Sequence, residues 1–144
     1  MRIIRHISSV PKDLQGGAVA VGNFDGIHRG HQALINHCRG LADGGRGPAL
    51  ALTFEPHPRR TFQPDAPPFR LTPFRNKARL LAGLGVDCLV SLHFDLQVSR
   101  QSAESFISDV LVQGLGARHV VVGYDFVFGH RRAGNGRRCR DRTR

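Results

Sequence analysis

With 144 residues, 40% of them hydrophobic and 22% charged, the chain is long enough for one domain with a real core and has the make-up of an ordinary globular protein. Its formal charge of +10 is unevenly spread: residues up to His130 hold 14 basic and 10 acidic side chains, whereas the stretch from Arg131 to Arg144 holds seven arginines against Asp141 alone. The body is therefore only mildly basic, and the arginine-rich end carries no aromatic residue to stack on bases, so nucleic acid is not the expected partner.

The opening MRIIRHISSVPKD has no long apolar run, and neither a signal peptide nor a membrane span is visible. Arg2-Ile3-Ile4-Arg5 reads as a short edge strand, followed by a loop from Pro11 to Gly17. Val19-Ala20-Val21 is short, apolar and β-branched and ends at Gly22, the pattern of a buried strand entering a turn. The turn carries Asp25, Gly26 and Gly30 and delivers His28 and His31 at the mouth of a helix whose apolar face begins at Ala33, Leu34 and Ile35. A helix start presents unpaired N–H groups and partial positive charge, which favour phosphate. Residues three apart share one helix face, and Gly30 between the two histidines is expected to leave room for a ligand against the backbone. Neither G-x-G-x-x-G nor a Walker A sequence occurs, so this is a phosphate site without a lysine.

The helix is predicted from Gly30 to about Ala42, ending at Asp43-Gly44-Gly45-Arg46-Gly47. Ala49 to Phe54 then reads as a parallel strand, completing a βαβ unit. Pro56 and Pro58 bar both strand and helix, fixing a stiff loop at the carboxyl end of that strand, where open parallel sheets bind ligands. His57 in that loop is either a site residue or an incidental member of a proline-rich turn. Arg59 to Pro73 is proline-rich and aperiodic, a pattern typical of lids and binding loops. Within it, Phe62 and Phe69 either cover a flat ligand or anchor the loop.

Thr72 is expected to cap a helix from Phe74 to Leu84, with Pro73 as its first residue. Lys77 on that helix faces either phosphate or solvent. Val86 to Leu92 reads as the next strand and Ser102 to Gln113 as a helix with Phe106, Ile107, Val110 and Leu111 inward. His119-Val120-Val121-Val122 reads as a central strand buried on both faces. It leads into Gly123-Tyr124-Asp125-Phe126-Val127-Phe128-Gly129, whose alternating aromatics also suit one face of an ordinary strand. Cys38, Cys88 and Cys139 form no C-x-x-C pair and leave an odd count, which fits reduced thiols and a cytoplasmic chain.

The string G-N-F-D-G-I-H-R-G-H, Gly22 to His31, resembles the H-x-G-H nucleotidylyltransferases. In its wider form it resembles the prokaryotic FAD synthetase domain, usually the N-terminal half of a bifunctional riboflavin kinase/FAD synthetase. Thr53-Phe54-Glu55-Pro56-His57-Pro58, Leu71-Thr72 and the loop from Gly123 to Gly129 match further motifs in the family's order, so the resemblance covers Met1 to about Asn135. It implies an α/β, Rossmann-like nucleotidylyltransferase fold, a parallel sheet flanked by helices. The implied reaction transfers AMP from ATP to FMN, giving FAD and pyrophosphate.

The resemblance further implies His28 and His31 as catalytic residues, binding ATP phosphates together with Gly22, Asn23, Phe24, Asp25, Gly26 and Gly30. His57, Pro58, Phe62, Phe126 and Phe128 are implied to contact FMN, with Asp125 holding Mg²⁺ directly or through water. No membrane and no obligate protein partner are expected. Family members continue after Gly134-Asn135 with a further strand, a helix and a Ser/Thr-rich motif ending in arginine. Here Gly136-RRCRDRTR matches none of that. The expectation is a domain of residues 1–135 lacking its C-terminal part, an arginine-rich tail of residues 136–144, no riboflavin kinase domain, and weak or absent turnover. A flavin- or nucleotide-binding module without catalysis, or an H-x-G-H transferase acting on another phosphate, are the alternative readings.

Overall fold

Small and large apolar residues alternate along the two central strands, and that alternation gives each face of the sheet a different partner. The computed structural model describes residues 1–56, 62–65, 67 and 71–123, together with the backbone of 127–128 and 134–135. Five strands pair in parallel: β1 (Arg2–Ile4), β2 (Ala18–Val21), β3 (Ala49–Glu55), β4 (Cys88–His93) and β5 (His119–Val122), in the spatial order β1-β4-β3-β2-β5. Ala18, Ala20, Ala49 and Ala51 line one face and let helices approach closely. There α1 (Arg29–Gly45) and α2 (Phe74–Gly83) pack through Ile35, Cys38, Ala42, Ala78 and Leu81. On the other face Val19, Val21, Leu50, Leu52, Phe54 and Val90 meet Phe106, Ile107, Val110 and Leu111. Each fully buried leucine or isoleucine in these layers contributes roughly 2 kcal/mol.

The α/β architecture and the inward residues Phe106, Ile107, Val110 and Leu111 are as the sequence patterns predict, whereas on α1 Ile35 is buried but Ala33 is exposed and Leu34 half-buried; the edges of the elements differ for local reasons. The first helix runs on through Gly44 and Gly45, which meet nothing nearby, and stops where Arg46 turns left-handed (φ 54°) and its N–H reaches the carbonyls of Ala42 and Asp43. After the short α3 (Leu96–Ser99), Ser102 caps α4 (Ala103–Ser105) through its side chain, and the helix continues with π-type turns over Phe106–Gly114. Among the described residues β5 is an edge strand rather than a central one. His119 is exposed and Val120 to Val122 are only half-buried, because β2 covers one side of it. A two-stranded antiparallel pair, β6 (Val127–Phe128) and β7 (Gly134–Asn135), follows.

Cys38 and Cys88 are both buried, and burial pushes each thiol up to about 11, so neither is a nucleophile at neutral pH. The chain leaves β2 for β3 on one side and comes back beside it as β5 on the other. The carboxyl end of β2 is thus the point where strand order reverses, the position at which open α/β sheets form their ligand crevice.

Candidate active site

Residues 22–28 join β2 to α1 at that reversal point. Gly22 begins the loop with its N–H donating to the Leu52 carbonyl at 3.1 Å. Phe24 and Ile27 then adopt φ of 52° and 39°, left-handed values that non-glycine residues take at a cost of ~1–3 kcal/mol each. Both side chains are driven into the core beneath α1, Phe24 with no exposed surface, and that burial offsets the strain. Phe24, expected to contact ATP, therefore offers a ligand no ring surface and serves as the loop's anchor.

Asp25 and Gly26 fasten the loop from its other side. The Asp25 carboxylate accepts the backbone N–H groups of Leu71 and Thr72 at 3.0 and 2.8 Å, and the Gly26 N–H donates to Thr72 Oγ1 at 2.9 Å. Gly26 has φ 84°, open to glycine, and an added Cβ would press on Leu71 at 3.1 Å. Thr72 is thus not the cap of α2. That position falls to Pro73, and the Thr72 hydroxyl is taken by the loop.

The loop ends on the two imidazoles. His28 caps α1: its Nδ1 accepts the His31 backbone N–H at 3.4 Å. A ring nitrogen that accepts carries no proton, so in this cap Nε2 is the His28 nitrogen left to donate. The His28 and His31 rings stack 3.7 Å apart at 20°, and Phe24 meets His31 edge-on at 5.5 Å. Gly30 makes this stack possible, since a Cβ there would lie 3.0 Å from His28 Cε1. The position that a Cβ would take at Gly30 is occupied by the His28 ring. Burial holds the His31 imidazole below the ordinary histidine range; His28 pushes the same way, Asp25 opposes, and Lys77 adds to the lowering. His31 is neutral at pH 7.

Lys77 is the residue that sequence reasoning misplaced. It does not face solvent. Its side chain is 2% exposed, 3.2 Å from Glu55 Oε1 and 3.4 Å from Thr53 Oγ1. Thr53 in turn donates to the Asn23 carbonyl at 3.2 Å. Among the described residues, Asn23 Oδ1, His31 Nδ1 and Ser91 Oγ are buried without a hydrogen-bond partner. Two of these belong to the residues predicted to hold ATP, and Ser91 sits in register with Thr53 on the neighbouring strand. Buried polar atoms of this kind are costly, and a ligand oxygen or a water that reached them would remove the cost.

An aromatic path runs from the core to the surface beside this edge. Phe106 and Phe94 both pack on Phe54, and Phe94 meets Phe62 at 5.9 Å edge-to-face. Phe62, predicted to contact a flavin, is 60% exposed, and Phe94 is its unforeseen support. His57, Pro58, Phe69, Asp125 and Phe126 lie outside the described residues, and Phe128 is described only as backbone in β6. Among the described residues no group of three or more His, Cys, Asp or Glu side chains is arranged to hold a metal ion. The Asp25 carboxylate is already engaged by two backbone N–H groups.

A family model described as FAD synthetase matches residues 10–143. The chain belongs to the FAD synthetase family. This FAD synthetase-family chain is 42% identical over 139 residues to the bifunctional riboflavin kinase/FMN adenylyltransferase of Escherichia coli (strain K12), the match covering 94% of this chain and 44% of that protein. The proteins of the same name from Pseudomonas fluorescens and Buchnera aphidicola (subsp. Acyrthosiphon pisum) are 38% and 34% identical over 135 residues, each covered to 43% of its length. The chain thus spans less than half the length of these curated relatives. The crystal structure of a macrolide-efflux protein from Streptococcus pneumoniae aligns with a TM-score of 0.80 at 23% identity, covering 99% of this chain and 46% of that one. That likeness is one of fold, and it agrees with the parallel sheet and flanking helices of the FAD synthetase-family chain. Among the described residues no helix is long and apolar enough to cross a membrane.

Proposed function

We propose that this chain is an FMN adenylyltransferase unit that transfers AMP from ATP to the phosphate of FMN, giving FAD and pyrophosphate. The observation that carries the reading is the imidazole pair. His28 is fixed in one tautomer by capping α1 and stacked on a neutral His31, at the carboxyl end of the strand where the sheet reverses its order. Family membership and the names of the relatives support it.

The chemistry needs no activated serine or cysteine, because the FMN phosphate is already an anionic nucleophile. One of its oxygens forms a bond to the α-phosphorus of ATP, the bond from that phosphorus to the α–β bridging oxygen breaks, and pyrophosphate leaves with the electron pair. Catalysis is then positioning together with neutralisation of the charge that builds on the phosphate oxygens. In this reading His28 Nε2–H and the first N–H groups of α1 donate to those oxygens, and His31 completes the grip. Gly22, Asn23 and Asp25 to Gly26 shape the loop that holds the polyphosphate. Phe62 presents a ring face to the flavin, with His57, Pro58, Phe126 and Phe128 as further candidates. Mg²⁺ is proposed as the companion of the ATP phosphates, with Asp125 as a candidate oxygen ligand.

Incubation with FMN, ATP and magnesium, followed by chromatography for FAD, tests the reading. FAD and pyrophosphate in equal amounts are expected. Replacing His28 or His31 by alanine is expected to lower the rate about a hundredfold each. FMN and ATP binding with no FAD formed would instead indicate a binding module.

A further inference from the structure

The ammonium of Lys77 stands where three elements meet. It comes from the first turn of α2, it is buried, and it reaches Glu55 and Thr53 near the carboxyl end of β3. Thr53 lies against the loop that follows β2, through the carbonyl of Asn23. The polarity of this chain of hydrogen bonds is set by chemistry. An ammonium has donors only, so the Thr53 oxygen must accept from Lys77, and the single hydroxyl proton is left for Asn23. Lys77 therefore orients the hydroxyl, and the hydroxyl holds the loop.

A buried ion pair adds little net stability, because desolvation of both ions offsets their attraction. Its distinctive effect here is directional. Five residues before Lys77, Thr72 exchanges hydrogen bonds with Asp25 and Gly26. The same segment of chain thus reaches the loop twice, directly through Thr72 and, from the first turn of α2, indirectly through Thr53 of β3. Loop 22–28 ends on the two imidazoles, whose stack depends on where that loop delivers them.

We propose that Lys77 is a positioning residue for the imidazole pair: through Thr53 and Glu55 it fixes the Asn23 carbonyl and, with it, the loop that presents His28 and His31 to a polyphosphate. The polyphosphate rests on the function proposed above, whereas the tether does not. Besides its place in the tether, Lys77 adds to the lowering of the His31 pKa, which burial dominates.

The test is nuclear magnetic resonance on the isotope-labelled chain, following the backbone amides of residues 23–26 and the imidazole of His31 through a pH titration. Lys77→Met keeps the length of the side chain and removes the charge. It is expected to shift those amides and raise the His31 midpoint. Thr53→Val keeps the shape and the Lys77–Glu55 pair but deletes the hydroxyl, and is expected to shift the same amides. Thr53→Ser, which restores the hydroxyl, is expected to return them to their wild-type positions. Unchanged amides in Lys77→Met or in Thr53→Val, or a Thr53→Ser spectrum no closer to wild type than that of Thr53→Val, overturns the proposal. If Lys77→Met does not fold, Lys77→Leu is read in its place by the same criterion. No step of this test depends on FAD being formed, so failure of the tether and failure of the proposed reaction are read in separate experiments.

Discussion

Asp25 and Thr72, 47 positions apart in the chain, hold each other's segments. The Asp25 carboxylate accepts the Thr72 N–H at 2.8 Å, and the Thr72 hydroxyl accepts the N–H of Gly26 at 2.9 Å. This clasp closes the loop after β2 against the segment that enters α2, so loss of either side is expected to loosen the imidazole pair.

Asp25→Ala removes the charged acceptor of two backbone N–H groups, an interaction worth about 2 kcal/mol. Thr72→Val removes one neutral acceptor, worth about 1 kcal/mol. Urea denaturation is expected to rank the two in that order. The double variant is expected to lose less than the sum, because the two contacts share one clasp. Strict additivity would mean that the clasp is two unrelated contacts.

Gly30→Ala separates stability from site geometry. Alanine in the first turn of α1 gains helix propensity of about 1 kcal/mol. Its Cβ, however, would meet His28 Cε1 at 3.0 Å and Nδ1 at 3.1 Å, displacing the ring from its cap and from its stack on His31. The expected result is a melting temperature close to wild type with FAD formation lowered about tenfold or more. Full activity in Gly30→Ala would show that the stacked arrangement is not the working one.

The depressed His31 gives the pH dependence its sign. The folded protein binds this proton less readily than the unfolded chain, so stability is fully present above the ordinary histidine value of 6.5 and is lost as pH falls from there toward the lowered folded value. His31→Gln is expected to flatten that part of the stability–pH curve. A polyphosphate beside the ring favours its protonated form, so ATP binding is expected to take up protons near neutral pH. Calorimetry in buffers of different ionisation enthalpy reads that uptake directly, and its absence in the wild type would place the phosphates away from His31.

Phe62 and Phe94 divide support from contact. Phe62→Ala changes an exposed ring and is expected to alter stability by no more than about 0.5 kcal/mol. If Phe62 lies against a flavin, the same change weakens FMN binding by about 1 kcal/mol, read by quenching of flavin fluorescence. Phe94→Ala removes the ring between Phe62 and Phe54, and is expected to cost about 2 kcal/mol of stability as well as binding.

The layered fold was legible in the chain because its signals are local. Short apolar runs bounded by glycine and proline at Val19–Val21 and Ala49–Phe54 mark buried strands, and the Phe106, Ile107, Val110 and Leu111 spacing marks a helix with one inward face. A continuous apolar stretch such as His119–Val122 shows that a strand exists but not how many neighbours will cover it, and among the described residues β2 alone pairs with it.

By itself, the sequence determined that a strand ends at Gly22, that two histidines open the next helix, and that the chain resembles FAD synthetases through motifs in order. Only the tertiary structure decided what those motifs do to one another. It made Asp25 half of a clasp, took Thr72 away from its helix, set the His28 ring where a Cβ at Gly30 would lie, and buried Lys77 against Glu55 and Thr53. These contacts join residues 22 to 47 positions apart, or depend on a backbone conformation that burial imposes, and neither leaves a periodic trace in the order of amino acids.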